Sequence, residues 1–167
     1  MDTLARSIEK LSDWMAGVSA VALGLMTLLI LVEIFLWNLF EKTTLIADEY
    51  CAYGLAAIIF LGAGYCLKEK GHIRITLLLG FLPKNLSSWI TFLSTLVTTV
   101  FMGYLWWYLF LMVRAAYRYG STSGTLTNTP LWIPQTIMLM GAACFSLQLL
   151  GTTIRTFQAI RTGEEVI

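Results

Sequence analysis

The sequence predicts an all-α membrane protein: four transmembrane helices with both termini in the cytoplasm. Three observations carry that prediction. Of 167 residues, 57% are hydrophobic and only 13% charged, and the mean hydropathy is +0.74, whereas a soluble domain devotes about a quarter of its residues to charge. Four long runs contain almost none of that charge. The basic residues that remain are divided unevenly between the segments joining those runs.

The segment before Trp14 comes first. Leu4, Ile8, Leu11 and Met15 recur at helical spacing among Arg6, Glu9, Lys10 and Asp13, which predicts an amphipathic helix lying along the inner leaflet and turning into the membrane at Trp14. Acids outnumber bases over residues 2–13 and the apolar run beyond is too long for a signal-peptide core, so a signal peptide is not expected. Trp14–Val32 is uncharged and apolar character continues past Glu33 to Phe40, which gives span one at 14–40. Span two covers 50–67, bounded by Asp48–Glu49 and Lys68. The stretch from His72 to Pro83 is too apolar for a free loop and too short to cross; it reads as a short cytoplasmic interfacial segment. Spans three and four cover 85–113 and 130–154. Each run approaches or exceeds the roughly 20 residues that cross the hydrocarbon core, and lipid demands internally satisfied backbone, hence helices. No segment keeps the alternation of a barrel strand. The whole of 1–167 is expected to form one four-helix domain.

Orientation follows from the bases. Arg6, Lys10, Lys68, Lys70, Arg74, Lys84, Arg155 and Arg161 mark one side; Lys42, Arg114 and Arg118 mark the other. The positive-inside rule puts the richer side, with both termini, in the cytoplasm. Trp14 and Trp89 then fall at inner ends, and Trp37, Trp106, Trp107 and Trp132 toward outer ends, as aromatic belts require.

Most chemistry is excluded by what is missing. A net charge of +1 lacks the basic footprint of a nucleic-acid binder. One histidine and three scattered cysteines, Cys51, Cys66 and Cys144, provide neither a metal set, a bis-histidine haem nor a disulfide framework. No phosphate loop, nucleophile elbow or catalytic carboxylate pair is present. The expectation is a protein without catalytic activity, cofactor or metal.

A few residues invite a role. Glu33 is the one acid inside a span, so it is a functional candidate, but it lies roughly 28 Å along the helix from Trp14, nearer the outer boundary than the middle. Two readings stay open: pairing with Arg114, Arg118 or a neighbouring subunit, or handling of an ion. Asp48 and Glu49 read either as an N-cap with favourable charge at a helix start or as a docking contact. Ala16, Ala20 and Gly24, and separately Gly62 and Gly64, are small residues that let a neighbouring helix approach closely. The Tyr119–Thr129 connection, with Ser123 and Thr125, reads as a flexible, polar, external loop. Pro130 is expected in the first turn of span four, with Pro134 loosening the helix a turn later.

These residues resemble a known family, the small membrane subunit of tripartite ATP-independent periplasmic (TRAP) transporters, the DctQ type. The resemblance rests on Asp48–Glu49–Tyr50, on Phe60–Leu61–Gly62–Ala63–Gly64–Tyr65, on Lys68–Glu69–Lys70–Gly71–His72–Ile73 with Arg74 beyond, and on Thr129–Pro130–Leu131–Trp132–Ile133–Pro134–Gln135. It covers roughly residues 5–155. The chain departs from many relatives at Trp37–Asn38, where an arginine is common, and at Thr76, where an aspartate often follows the histidine–isoleucine pair. The resemblance implies a non-enzymatic inner-membrane subunit. Its implied partners are a large membrane subunit that moves organic-acid-type solutes by a sodium-driven elevator motion, a periplasmic solute-binding protein that it helps to dock, and membrane lipids. The large subunit is expected to be a separate chain, since nothing like a fusion linker follows Thr162.

Three rivals are weighed against this reading. A small four-helix proton-coupled exporter would use Glu33 as carrier, but its expected chain is shorter and the acid too shallow. A haem-anchoring redox subunit conflicts with the single histidine. A small subunit of a tricarboxylate-type tripartite transporter shares the architecture but not the Gly71–His72–Ile73 resemblance.

Overall fold

In a computed structural model of the chain, residues 2–69 and 84–162 are described. They form four helices: α1 (Asp2–Phe40), α2 (Ala47–Lys68), α3 (Lys84–Tyr119) and α4 (Trp132–Thr162). Each is long and apolar enough to cross a membrane. The expected interfacial segment from His72 to Pro83 lies outside the described residues, as do Gly71 and Arg74.

The helices are longer than the uncharged runs. α1 does not turn at Trp14; it continues unbroken from Asp2, 39 residues in all, or about 58 Å at 1.5 Å per residue. The residues before Trp14 continue the same helix, and the buried seam along this part of α1 is Ser12, Met15 and Ser19, while Leu11 is exposed. Two small polar residues on that seam let α1 approach its neighbours. α3 likewise runs past Val113 through Arg114 and Arg118 to Tyr119, because a cation in the last turn is favourable at the negative end of a helix. Trp106 therefore lies about 20 Å from that end, and its indole nitrogen is buried without a hydrogen-bond partner. α4 starts at Trp132, so Pro130 stands before the helix, and Pro134 sits in its first turn, where a missing N–H costs nothing. The expected loosening has no cause there.

α2 lies between α1 and α4, and α4 packs on α3, so the chain order 1-2-3-4 becomes a spatial row 1-2-4-3. α1 also leans onto α4 near the end that carries the termini. There Ser12, fully buried, faces Cys144 at 3.6 Å. Asp13 pairs with Lys68 at 2.5 Å and Glu9 with Arg155 at 2.9 Å, which ties the start of α1 to the ends of both other helices.

α2 and α4 run parallel, and among the described glycines the closest approach lies between them. A Cβ on Gly141 would fall 2.5 Å from the carbonyl carbon of Phe60 and 2.9 Å from the amide nitrogen of Leu61. Ala142, with no exposed surface, continues the seam. Next to it, Met102, Phe145 and Leu149 form a cluster joined by Ala63, Leu67 and Leu105. Between α3 and α4 the buried hydroxyls of Thr99 and Thr153 meet at 2.9 Å, and Phe92 packs on Phe157 with ring centroids 5.5 Å apart.

Candidate functional site

Two carboxylates organise the end of the molecule opposite the termini, each on a different connection. Glu33, two turns before the end of α1, reaches forward into the 41–46 turn. It accepts hydrogen bonds from the hydroxyls of Thr43 and Thr44 and, at 2.9 Å, from the Thr44 amide. The same hydroxyls accept from the amides of Leu45 at 3.2 Å and Ile46 at 3.4 Å. This relay holds a turn in which Glu41 and Leu45 adopt left-handed backbone, with φ of 51° and 56°. That conformation is unfavourable for any residue that carries a Cβ, so the carboxylate offsets a local strain. The expected pairing of Glu33 with Arg114 or Arg118 is corrected accordingly: its partners among the described residues are threonines of its own loop.

Glu49 does the same for the longer connection. It lies in the first turn of α2, whose N-cap is Ile46 and carries no side-chain cap. The N-cap reading of Asp48 and Glu49 therefore gives way to first-turn acids, favourable by charge alone. One Glu49 oxygen accepts from Thr125 and Thr127, and the other from the Tyr53 hydroxyl at 2.9 Å. Since Thr125 and Thr127 give their hydrogens to Glu49, Ser123 must donate to Thr125 at 2.7 Å, and Thr129 donates to Thr127 at 3.0 Å. Tyr50 completes the chain onto Thr129 at 3.5 Å. Every hydroxyl hydrogen in the cluster runs toward one carboxylate.

The loop it holds is crossed by hydrogen bonds of its own. Gly120, Gly124 and Asn128 turn the backbone with positive φ. Ser123 donates its amide to the Thr129 carbonyl and Leu131 to that of Ser121, both at 3.0 Å. Thr122 and Pro130 face each other as an isolated antiparallel bridge. Trp132 closes the base, edge-on to Tyr117 at 5.8 Å. Gln135 follows one turn later with its side-chain oxygen buried and unpaired.

The structure thus brings Glu49, Ser123 and Thr125 into one cluster and leaves Asp48 exposed beside it. The small residues separate into two groups. Gly64 is buried against Ser12 and Cys144, and Gly62 faces Ser19, so both serve packing within the chain. Ala20 and Gly24 lie on the exposed side of α1, with nothing near the Gly24 position, and Ala16 is half-buried. Lys68, the described member of the basic motif, pairs with Asp13 and lies over the Tyr65 ring at 5.6 Å. The residue that sequence reading passed over is Gly141. Its signal was available in the Gly141–Ala142–Ala143 run of span four, a partner for Gly62–Ala63–Gly64 in a parallel neighbour. Among the described residues no group of three metal-ligating side chains occurs.

Comparison with known proteins agrees with this architecture. The family model described as "Tripartite ATP-independent periplasmic transporters, DctQ component" matches residues 7–159. Among curated proteins and among solved structures nothing matches. A match over nearly the whole chain, on four membrane-length helices, places the protein: it belongs to the DctQ family, the small membrane component of TRAP transporters.

Proposed function

We propose that this chain braces the large membrane subunit of a sodium-driven TRAP transporter for organic-acid-type solutes and helps to dock its periplasmic binding protein. In this reading the chain lies in the inner membrane of a bacterium with both termini in the cytoplasm. The two threonine-rich turns then face the periplasm. The large subunit supplies the moving parts and the sodium and solute sites.

The observation that supports bracing over carrying is the engagement of Glu33. It is the one acid within the predicted spans, and its carboxylate is already committed to Thr43 and Thr44. A transport site is normally built near mid-membrane from broken helices or intramembrane charge, and Glu33 lies two turns from the end of its helix. The exposed apolar sides of α1, including Val21, Leu25 and Leu28, and of α3, including Val97, Val100 and Phe101, provide surface for a partner helix or for lipid.

The test is uptake by the reconstituted three-component system. Glu33→Gln keeps an acceptor for the threonines, so uptake and its sodium dependence should persist. Loss of sodium coupling while the complex remains assembled would overturn the bracing role and favour the rival in which Glu33 carries an ion.

A further inference from the structure

The end of α4 carries a feature that neither bracing nor docking uses. An open groove of about 700 Å³ is lined by Arg155, Gln158, Ala159, Arg161 and Thr162. Two arginines thus flank small and neutral side chains. Among the described residues the acid paired here is Glu9, which meets Arg155 at 2.9 Å through a single nitrogen and leaves that arginine 60% exposed. Among its described lining residues the charge is net positive.

Its depth matters more than its volume. If α4 enters the hydrocarbon at Trp132, Arg155 emerges about 35 Å along the axis and Arg161 about 44 Å. The hydrocarbon core is about 30 Å thick, so Arg155 stands at the level of the lipid phosphates and Arg161 about 9 Å further along the axis, from where its long side chain can reach back toward the headgroups. The helix surface leading to them is apolar and open: Leu147, Leu150 and Ile154 are exposed at helical spacing, and Gly151 leaves a notch with nothing near it. An apolar track that ends in two cations has the chemical gradient of an acidic phospholipid. Guanidinium forks bind phosphate in two-point fashion, and the track accepts an acyl chain.

We propose that this groove is a binding site for one anionic phospholipid, its phosphate between Arg155 and Arg161 and an acyl chain along Leu147, Leu150 and Ile154. The site requires α4 to span a bilayer but no transport role for the chain, so the two proposals fail separately.

Native mass spectrometry of the full chain, purified in detergent and titrated with phosphatidylglycerol or phosphatidylcholine, tests it. The wild type should retain phosphatidylglycerol preferentially. Arg161→Gln, which spares the Glu9–Arg155 pair, should weaken that binding roughly fivefold, the effect of one basic residue at an anionic surface. Arg155→Gln with Arg161→Gln should erase the preference. Glu9→Gln, which removes the competing carboxylate, should strengthen binding, a change that general destabilisation would not produce. Equal retention of the two lipids by the wild type, or unchanged binding in the double variant, would overturn the site. So would full competition by millimolar inorganic phosphate, because the groove would then read a soluble anion rather than a lipid.

Discussion

Glu49 and Thr125 stand 76 positions apart in the chain and share a hydrogen bond, so the start of α2 and the loop between α3 and α4 form one unit. The carboxylate is acceptor for hydroxyls from both segments and cannot be exchanged for a cation without reversing every donor around it.

Asp48 and Glu49 should therefore behave differently, although they are adjacent and alike in charge. Asp48→Lys should leave the loop in place and lower uptake only when binding protein is limiting, with rescue at higher concentration, since exposed charge governs encounter. Glu49→Lys should release the loop, seen as several-fold faster amide exchange at Ser123 and Thr129, and should not be rescued by more binding protein. Identical behaviour of the two variants would show that the Glu49 cluster does not hold the loop.

Gly141 predicts a sharp contrast among glycines. Gly141→Ala drives a methyl into the Phe60 peptide. Overpacking typically costs about 1–3 kcal/mol, and this clash should reach the upper end because backbone cannot rotate away. Gly103→Ala and Gly151→Ala, where nothing lies within 4 Å, should be neutral or slightly stabilising. Thermal unfolding in detergent, followed by monodispersity, separates the two classes.

The Thr99–Thr153 contact should couple α3 to α4. Each hydroxyl also lies within hydrogen-bond distance of its own helix's carbonyl four residues back, and two hydrogens cannot fill three contacts. One hydroxyl donates across the interface and the other back along its helix. Valine at both positions in a double-mutant cycle should give a coupling of about 0.6 kcal/mol, the average for interhelical bonds in membranes.

Orientation is open to direct labelling. With Cys51, Cys66 and Cys144 replaced, Leu126→Cys should react with an impermeant thiol reagent in intact cells, because Leu126 is exposed at the tip of its loop. Thr162→Cys should react only after permeabilisation. The reverse pattern would invert the topology.

How much of this could be read in advance depended on range. The four helices follow from runs of apolar residues, a local property, and charge at their ends located them to within a turn or more. The helices run on beyond the uncharged runs where charge is compatible with helix, as at Asp2–Asp13, Arg114–Tyr119 and Arg155–Thr162. Glu33 and Glu49 were recognisable as unusual, but their partners were not, because a threonine ten or seventy residues away carries no periodic signal. Gly62 and Gly64 were legible as packing residues. Which helix they face is a matter of spatial order, and nothing local specifies that α2 lies beside α4 rather than α3.

That order has a geometric consequence. In a four-helix ring every helix has two full neighbours; in the 1-2-4-3 order of the described helices α2 and α4 are flanked on both sides, while α3 and α1 stand at the borders, with α1 also reaching α4. If the chain braces a larger subunit as proposed, it does so from one side, along a face of this row, rather than by surrounding it.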